Sequence, residues 1–174
     1  GGLAAVDNFS MVVEEGELRV ILGPNGAGKT TLMDLVSGKT ACTGGHVHLF
    51  GQEITNWPEH RIARAGLGRK FQIPSVFRDL TVRDNLEVAA SEEVGVFANL
   101  RLGRRKREQE KIDRIIELAG LEDVTAKRAG DLSHGQMQWL EIGMLLAQDA
   151  KLILLDEPTA GMTAAETHKT ARIV

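Results

Sequence analysis

Three stretches of this sequence carry residues whose types and spacing can do chemistry. In the first, Gly23, Pro24, Asn25, Gly26, Ala27, Gly28, Lys29, Thr30 and Thr31 follow a short apolar run. Gly23, Gly28, Lys29 and Thr30 fit G-x-x-x-x-G-K-[ST], a loop whose successive backbone N–H groups wrap the α- and β-phosphates of a nucleotide. The glycines give the backbone a curl and a clearance that a Cβ would block. Lys29 then reaches the β- and γ-phosphates, and the Thr30 hydroxyl coordinates the Mg²⁺ that accompanies them. A helix opening at Lys29 adds its positive dipole end to the same place. With glycine at about 7% of an average chain, a chance match in this length has odds of roughly one in a hundred or less.

The second stretch is DLSHGQMQ, Asp131 to Gln138. Ser133 suits an N-cap for a helix that carries Met137, Leu140, Met144 and Ala147 inward. Capping accounts for Ser133 but not for Gly135 and Gln136 in the first turn, where glycine costs about 1 kcal/mol relative to alanine. A helix N-terminus with a hydroxyl and an open backbone is also a good anion site. The third stretch, Lys151 to Leu155, reads as a strand buried on both faces of a parallel sheet. It delivers Asp156 and Glu157 to its carboxyl end, where open α/β sheets bind ligands. There Asp156 can hold Mg²⁺ through its waters, and Glu157 can accept a proton from, or orient, an attacking water. Following a phosphate loop, the pair makes a hydrolytic site.

The elements that must position these residues are legible in outline. Leu18 to Leu22 reads as the strand before the loop and Thr30 to Ser37 as the helix after it, with Phe9 to Val13 an earlier alternating strand. His46 to Phe50 alternates between the Thr43-Gly44-Gly45 turn and Gly51; His46 and His48 share a face, without a third metal ligand, and read as solvated. Pro58 to Ala65 suits a short helix stopped by Gly66, and Leu67 to Phe71 a returning strand. Gln72 sits at that strand's end, where spacing alone leaves a backbone-satisfying and a functional role equally open. Thr81 with Asp84 looks like an N-cap opening a helix through Ala90. Arg104, Arg105, Lys106 and Arg107 form a basic run, read as a solvated helix start rather than an anionic-surface contact. Ile112, Ile115, Ile116 and Ala119 recur at helical spacing before Gly120, so one face of that helix is core.

Composition sets the outer bounds. The 174 residues, 43% of them hydrophobic, suffice for one domain with a real core. A net charge of -3 and a pI near 6.0 give no overall basic footprint and argue against a nucleic-acid binder. Cys42, the single cysteine, can form no internal disulfide and has no metal-spaced partner, so it reads as a buried small residue in a reducing compartment. No apolar run approaches the roughly 18 residues needed to cross a bilayer, and the start has no signal pattern, so solubility is expected.

GPNGAGKTT at Gly23 to Thr31, Gln72 after a strand, LSHGQ at Leu132 to Gln136 and LILLDEPTAG at Leu152 to Gly161 together, and in this order, resemble the ATP-binding subunits of ABC transporters. The resemblance spans nearly the whole chain. The wording LSHGQMQWLEIGMLLAQ and TAGMTAAET looks most like the importer branch serving urea, other short amides and branched-chain amino acids, with urea slightly ahead.

That resemblance implies an α/β fold: a P-loop NTPase (RecA-like) core with a small antiparallel β portion and an inserted α-helical subdomain, truncated at both ends. Residues 1–72 and 149–174 would form the ATP-binding core and residues 73–148 the helical, signature-bearing part of one ABC ATPase domain. The cofactors would be ATP and Mg²⁺, held by the loop residues named above, with Thr30, Gln72 and Asp156 toward the metal. Gln72 would sense Mg²⁺ and the γ-phosphate and move with the membrane subunits. Ser133, Gly135 and Gln136 would bind the γ-phosphate of ATP held on an opposite ATPase subunit, so that two subunits sandwich two ATP molecules. Glu157 would be the catalytic carboxylate. The implied partners are that second ATPase subunit, identical or different, transmembrane permease subunits whose coupling helix docks near Gln72, and indirectly a solute-binding protein. No nucleic acid is expected, and the implied location is peripheral, on the cytoplasmic face of the inner membrane.

Three departures accompany the resemblance. His134 stands where the commoner signature has glycine, and Thr163 where many relatives carry an aspartate. The family's adenine-stacking aromatic would precede Gly1, and its switch histidine would lie some tens of residues beyond Glu157, farther than His168. A chain of this extent is therefore expected to bind Mg-ATP weakly and hydrolyse it poorly. A soluble ABC ATPase acting on DNA or ribosomes is the competing reading, disfavoured because no heptad-bearing insertion separates the loop from LSHGQ and no second ATPase unit is visible. A P-loop kinase or GTP switch would leave LSHGQ and the strand ending in Asp156-Glu157 unexplained.

Overall fold

The computed structural model describes residues 4–70, 76–91 and 102–173. The chain divides into two compact units, Gly1–Leu67 and Gly68–Val174.

The first unit holds the phosphate loop and the short helix α1, Lys29–Val36. Just past α1 is Gly38 at φ 79°, where an added Cβ would lie 2.4 Å from the Trp57 carbonyl, so only glycine admits this close approach. Strands β1, His48–Leu49, and β2, Gln52–Glu53, form an antiparallel hairpin, with Phe50 and Gly51 both at positive φ in its two-residue turn. Helix α2, Glu59–Arg64, starts from Pro58 as its N-cap and buries Ile62. With Leu49 and Ile54, that side chain makes a small apolar centre. His46 and His48 are exposed as expected, His46 pairing with Glu53, and no metal-ligand cluster occurs among the described residues. Cys42 is half-buried rather than buried.

Two expected strands are absent. Phe9 to Val13 and Leu18 to Leu22 join no sheet among the described residues, and Leu18, Val20 and Leu22 are 67%, 65% and 88% exposed. Alternation at Phe9 to Val13 and apolar composition at Leu18 to Leu22 favour an extended segment. A strand needs in addition a neighbour for its backbone N–H and C=O groups, and none of the described segments supplies one.

Strand β3, Leu67–Lys70, of which all but the first residue belongs to the second unit, shares a two-stranded sheet with β4, Leu152–Leu155. Gly68 lies against Ala150: a Cβ there would stand 2.7 Å from the alanine methyl. β4 is half-buried along its length, not buried on both faces as expected, because β3 is its one neighbour among the described residues. Helices α3, Val82–Ala90, α4, Leu102–Ala119, and α5, His134–Ala147, pack on one another, and α6, Ala164–Ile173, closes the unit.

The core is where periodicity placed it. Ile112, Ile115, Ile116 and Ala119 of α4 meet Val82 and Leu86 of α3 and Leu140, Met144 and Ala147 of α5, all of them buried. Each large aliphatic side chain so buried contributes about 1.5–3 kcal/mol. Gly143 lets the helices close up, since a Cβ there would sit 3.2 Å from both Ile115 and Leu86. Thr81 and Asp84 form the expected capping box at the start of α3. Asn85, wholly buried, receives the Phe77 N–H and donates to the Phe77, Leu80 and Thr81 carbonyls, which fixes the chain entering that helix. Lys106 and Arg107 lie exposed within α4.

Candidate functional site

The phosphate loop owes its shape to backbone constraints. Gly26 and Gly28 take φ of 80° and 86°, values L side chains rarely adopt. At Gly28 there is also no room: an added Cβ would lie 2.3 Å from the Ala5 carbonyl oxygen. Gly28 is the N-cap of α1, which has no side-chain cap and no acidic residue in its first turn, so its own first turn leaves the positive helix end open to an anion. The Lys29 ammonium folds back over the loop and donates to the Gly23 and Pro24 carbonyls at 2.6 and 2.8 Å. A cation at the loop mouth, beside an uncapped helix start, forms a concentrated anion site. The hydroxyls of Thr30 and Thr31 stand in that first turn.

In the second unit, α5 begins at Ser133, whose Oγ accepts the Gln136 N–H while Gln136 Oε1 accepts the Ser133 N–H. This capping box corrects the expectation that capping explains Ser133 alone: Gln136 is its other half. Gly135 has a reason as well. The Glu166 carboxylate of α6 packs where its Cβ would be, 2.3 Å from that position. The backbone N–H and then the hydroxyl of Thr163 hold the Glu166 carboxyl below the ordinary glutamate range, with a smaller pull from His134. Thr163 thus caps α6 reciprocally with Glu166.

At the end of β4, Asp156 is half-buried and Glu157 exposed. Glu157 takes φ 48°, a left-handed conformation costing roughly 1–3 kcal/mol for a residue of this type. The turn that follows is closed by Ala160 N–H to the Glu157 carbonyl at 3.1 Å. His134, in the first turn of α5, reaches the Ala160 carbonyl through Nε2 at 3.0 Å. The structure therefore brings the Ser133–Gln136 turn together with the segment after Asp156-Glu157. Gln72 lies outside the described residues.

Some residues in this cluster escaped sequence reasoning. T-x-x-E at Thr163 to Glu166 is a helix-start signature and was legible. Gln138, 7% exposed and 3.4 Å from His134 one turn back on α5, shows no role in its spacing alone, and the buried Lys70–Glu141 pair at 3.7 Å left no periodic trace because it joins distant segments.

A family model described as "ABC transporter" matches residues 6–160. The chain belongs to the ABC transporter family. Its relatives include the probable branched-chain amino acid transport ATP-binding protein LivG of Archaeoglobus fulgidus, 37% identical over 96% of this chain and 66% of that protein. The high-affinity branched-chain amino acid transport ATP-binding protein BraF of Pseudomonas aeruginosa is likewise 37% identical, over 100% of this chain and 71% of its own length. The chain thus spans about two thirds of the length of these curated relatives. Among solved structures, MJ1267, an ATP-binding cassette of an ABC transporter, superimposes with a TM-score of 0.80 at 29% identity, covering 97% of this chain and 69% of that one. This ABC chain has the P-loop NTPase fold of those cassettes and is an ABC-type ATPase domain.

Proposed function

We propose that this ABC domain binds Mg-ATP and, within its transporter, powers import of a small polar solute. The observation that carries the reading is the start of α1: a glycine-capped helix with no acidic residue in its first turn and the Lys29 ammonium beside it. Gly23 through Thr31 would hold the phosphates. The fit to Mg²⁺ rests on donor chemistry, a first-turn hydroxyl at Thr30 and a carboxylate at Asp156, the hard oxygen ligands this ion takes, with Gln72 as a further ligand. When bound, the ion supplies charge neutralisation on the phosphate oxygens. Glu157 is the carboxylate that takes the proton of the attacking water or orients it, and Gln72 takes part in the same catalytic step. Ser133, Gly135 and Gln136 face the ATP of an opposing subunit.

On this reading residues 1–72 and 149–174 form the ATP-binding core, and residues 73–148 the helical part that meets a permease. The partners are a second ATPase subunit, membrane permeases and, through them, a solute-binding protein, at the cytoplasmic face of the inner membrane. No helix among the described residues is long and apolar enough to cross a membrane. The relatives' names support branched-chain amino acids as cargo, while the LSHGQMQWLEIGMLLAQ wording supports urea or short amides.

The deciding experiment is affinity purification of the protein from detergent-solubilised membranes of its source, with co-purifying chains identified by mass spectrometry. Stoichiometric hydrophobic permeases are expected. Ribosomal or DNA-repair proteins with nothing membrane-embedded would overturn the importer reading.

A further inference from the structure

We propose that His134 is a positioning residue for Glu157, acting through the Ala160 carbonyl; the inference rests on Glu157 being the hydrolytic carboxylate. The route is two hydrogen bonds long. Nε2 of His134 lies 3.0 Å from the Ala160 carbonyl oxygen, and the same residue's N–H donates to the Glu157 carbonyl at 3.1 Å. A carbonyl only accepts, so Nε2 carries the ring proton and the tautomer is fixed. Gln138, one turn along α5, has its amide 3.4 Å from Nε2, and its Oε1 is buried without a partner among the described residues. Turning that amide by 180° presents the oxygen to the same proton. The imidazole then stands between the helix and the turn with both acceptors on one N–H.

The turn is shaped to receive the ring. Gly161 takes φ 74°, and a Cβ there would lie 3.3 Å from His134 Nε2 and 3.4 Å from Cδ2. The segment His134 grips begins at Glu157, whose left-handed backbone must be held by its surroundings to persist. On the other side, Thr163 and Glu166 anchor the segment's far end against Gly135. Residues 157–163 are thus pinned to the start of α5 at two points, and His134 holds the one nearer the carboxylate.

The tether predicts effects that separate it from ordinary capping. In His134→Phe, amide hydrogen exchange at Ala160 should rise about fivefold to tenfold, as for the loss of one hydrogen bond. Exchange from Met137 to Leu145 should not change, because Ser133 and Gln136 still cap α5. His134→Gln, which restores a donor, should recover most of the protection. In the assembled transporter, His134→Phe should lower kcat for ATP hydrolysis while leaving KM for ATP near its original value, with partial rescue in His134→Gln. Unchanged exchange at Ala160 in His134→Phe, or equal losses in kcat and gains in KM, overturns the tether. A Glu157→Gln transporter that hydrolyses ATP at the original rate would instead overturn the assignment on which the inference rests.

Discussion

At the residue scale, the chemistry turns on a few side chains whose surroundings make their effects predictable. Lys29 has its ammonium at the phosphate loop through two carbonyl contacts. Lys29→Ala should weaken Mg-ATP binding about tenfold to a hundredfold, the range for losing a charged hydrogen-bond donor, as read by titration calorimetry. Glu166 responds to acid. Its carboxyl is held below the ordinary range by Thr163, so the stabilisation it gives is complete above the unfolded-state value of about 4.3 and fades as pH falls through its lower native value. The wild-type chain should therefore lose stability below about pH 4 at this site, whereas Glu166→Gln should show a flatter profile in thermal melts from pH 6 to 3. Residues of this kind divide by legibility. Lys29 and Thr30 could be read because the loop is local in sequence. The Glu166–Gly135 and His134–Ala160 contacts could not, since each joins positions more than twenty residues apart.

At the scale of elements, helices followed their sequence signals more closely than strands did. The α4 face of Ile112, Ile115, Ile116 and Ala119 is buried as its spacing required, and the Thr81–Asp84 box starts α3 where expected. The box is a contact within one helix turn, and the apolar face is set by spacing along one helix even though what covers it lies on α3 and α5. Leu18 to Leu22 has the apolar composition of a strand but no described partner, since pairing is decided by a distant segment. Two substitutions probe the elements that carry the site. Ser133→Ala removes one half of the α5 cap and should cost about 1 kcal/mol in urea unfolding. Gly68→Ala pushes a methyl into Ala150 where β3 nears the lead-in to β4, and should cost about 1–3 kcal/mol by the same measurement.

At the scale of the whole molecule, the two units differ in how much apolar surface they bury. The fifteen-residue core cluster lies entirely between Val82 and Ile173, within the second unit, while the first relies on Leu49, Ile54, Ile62 and Leu67 as its buried aliphatic side chains among the described residues. Each unit carries one tryptophan: Trp57 under the Arg61 guanidinium, and Trp139 donating to Thr170 beneath the Lys169 ammonium. Fluorescence of Trp139→Phe should therefore report the first unit, and that of Trp57→Phe the second. The first is expected to reach its urea midpoint earlier; coincident midpoints in the two variants would refute this. Selection also acts on the whole chain, and there the left-handed backbone of Glu157 sets a conflict between durability and work. Glycine or asparagine would relax that peptide, so a mutant library sorted only for heat tolerance should enrich them at 157. Given the role proposed above for Glu157, the sorted winners would be long-lived proteins that grip their nucleotide and leave it intact, and an engineer would meet the loss only on assaying turnover.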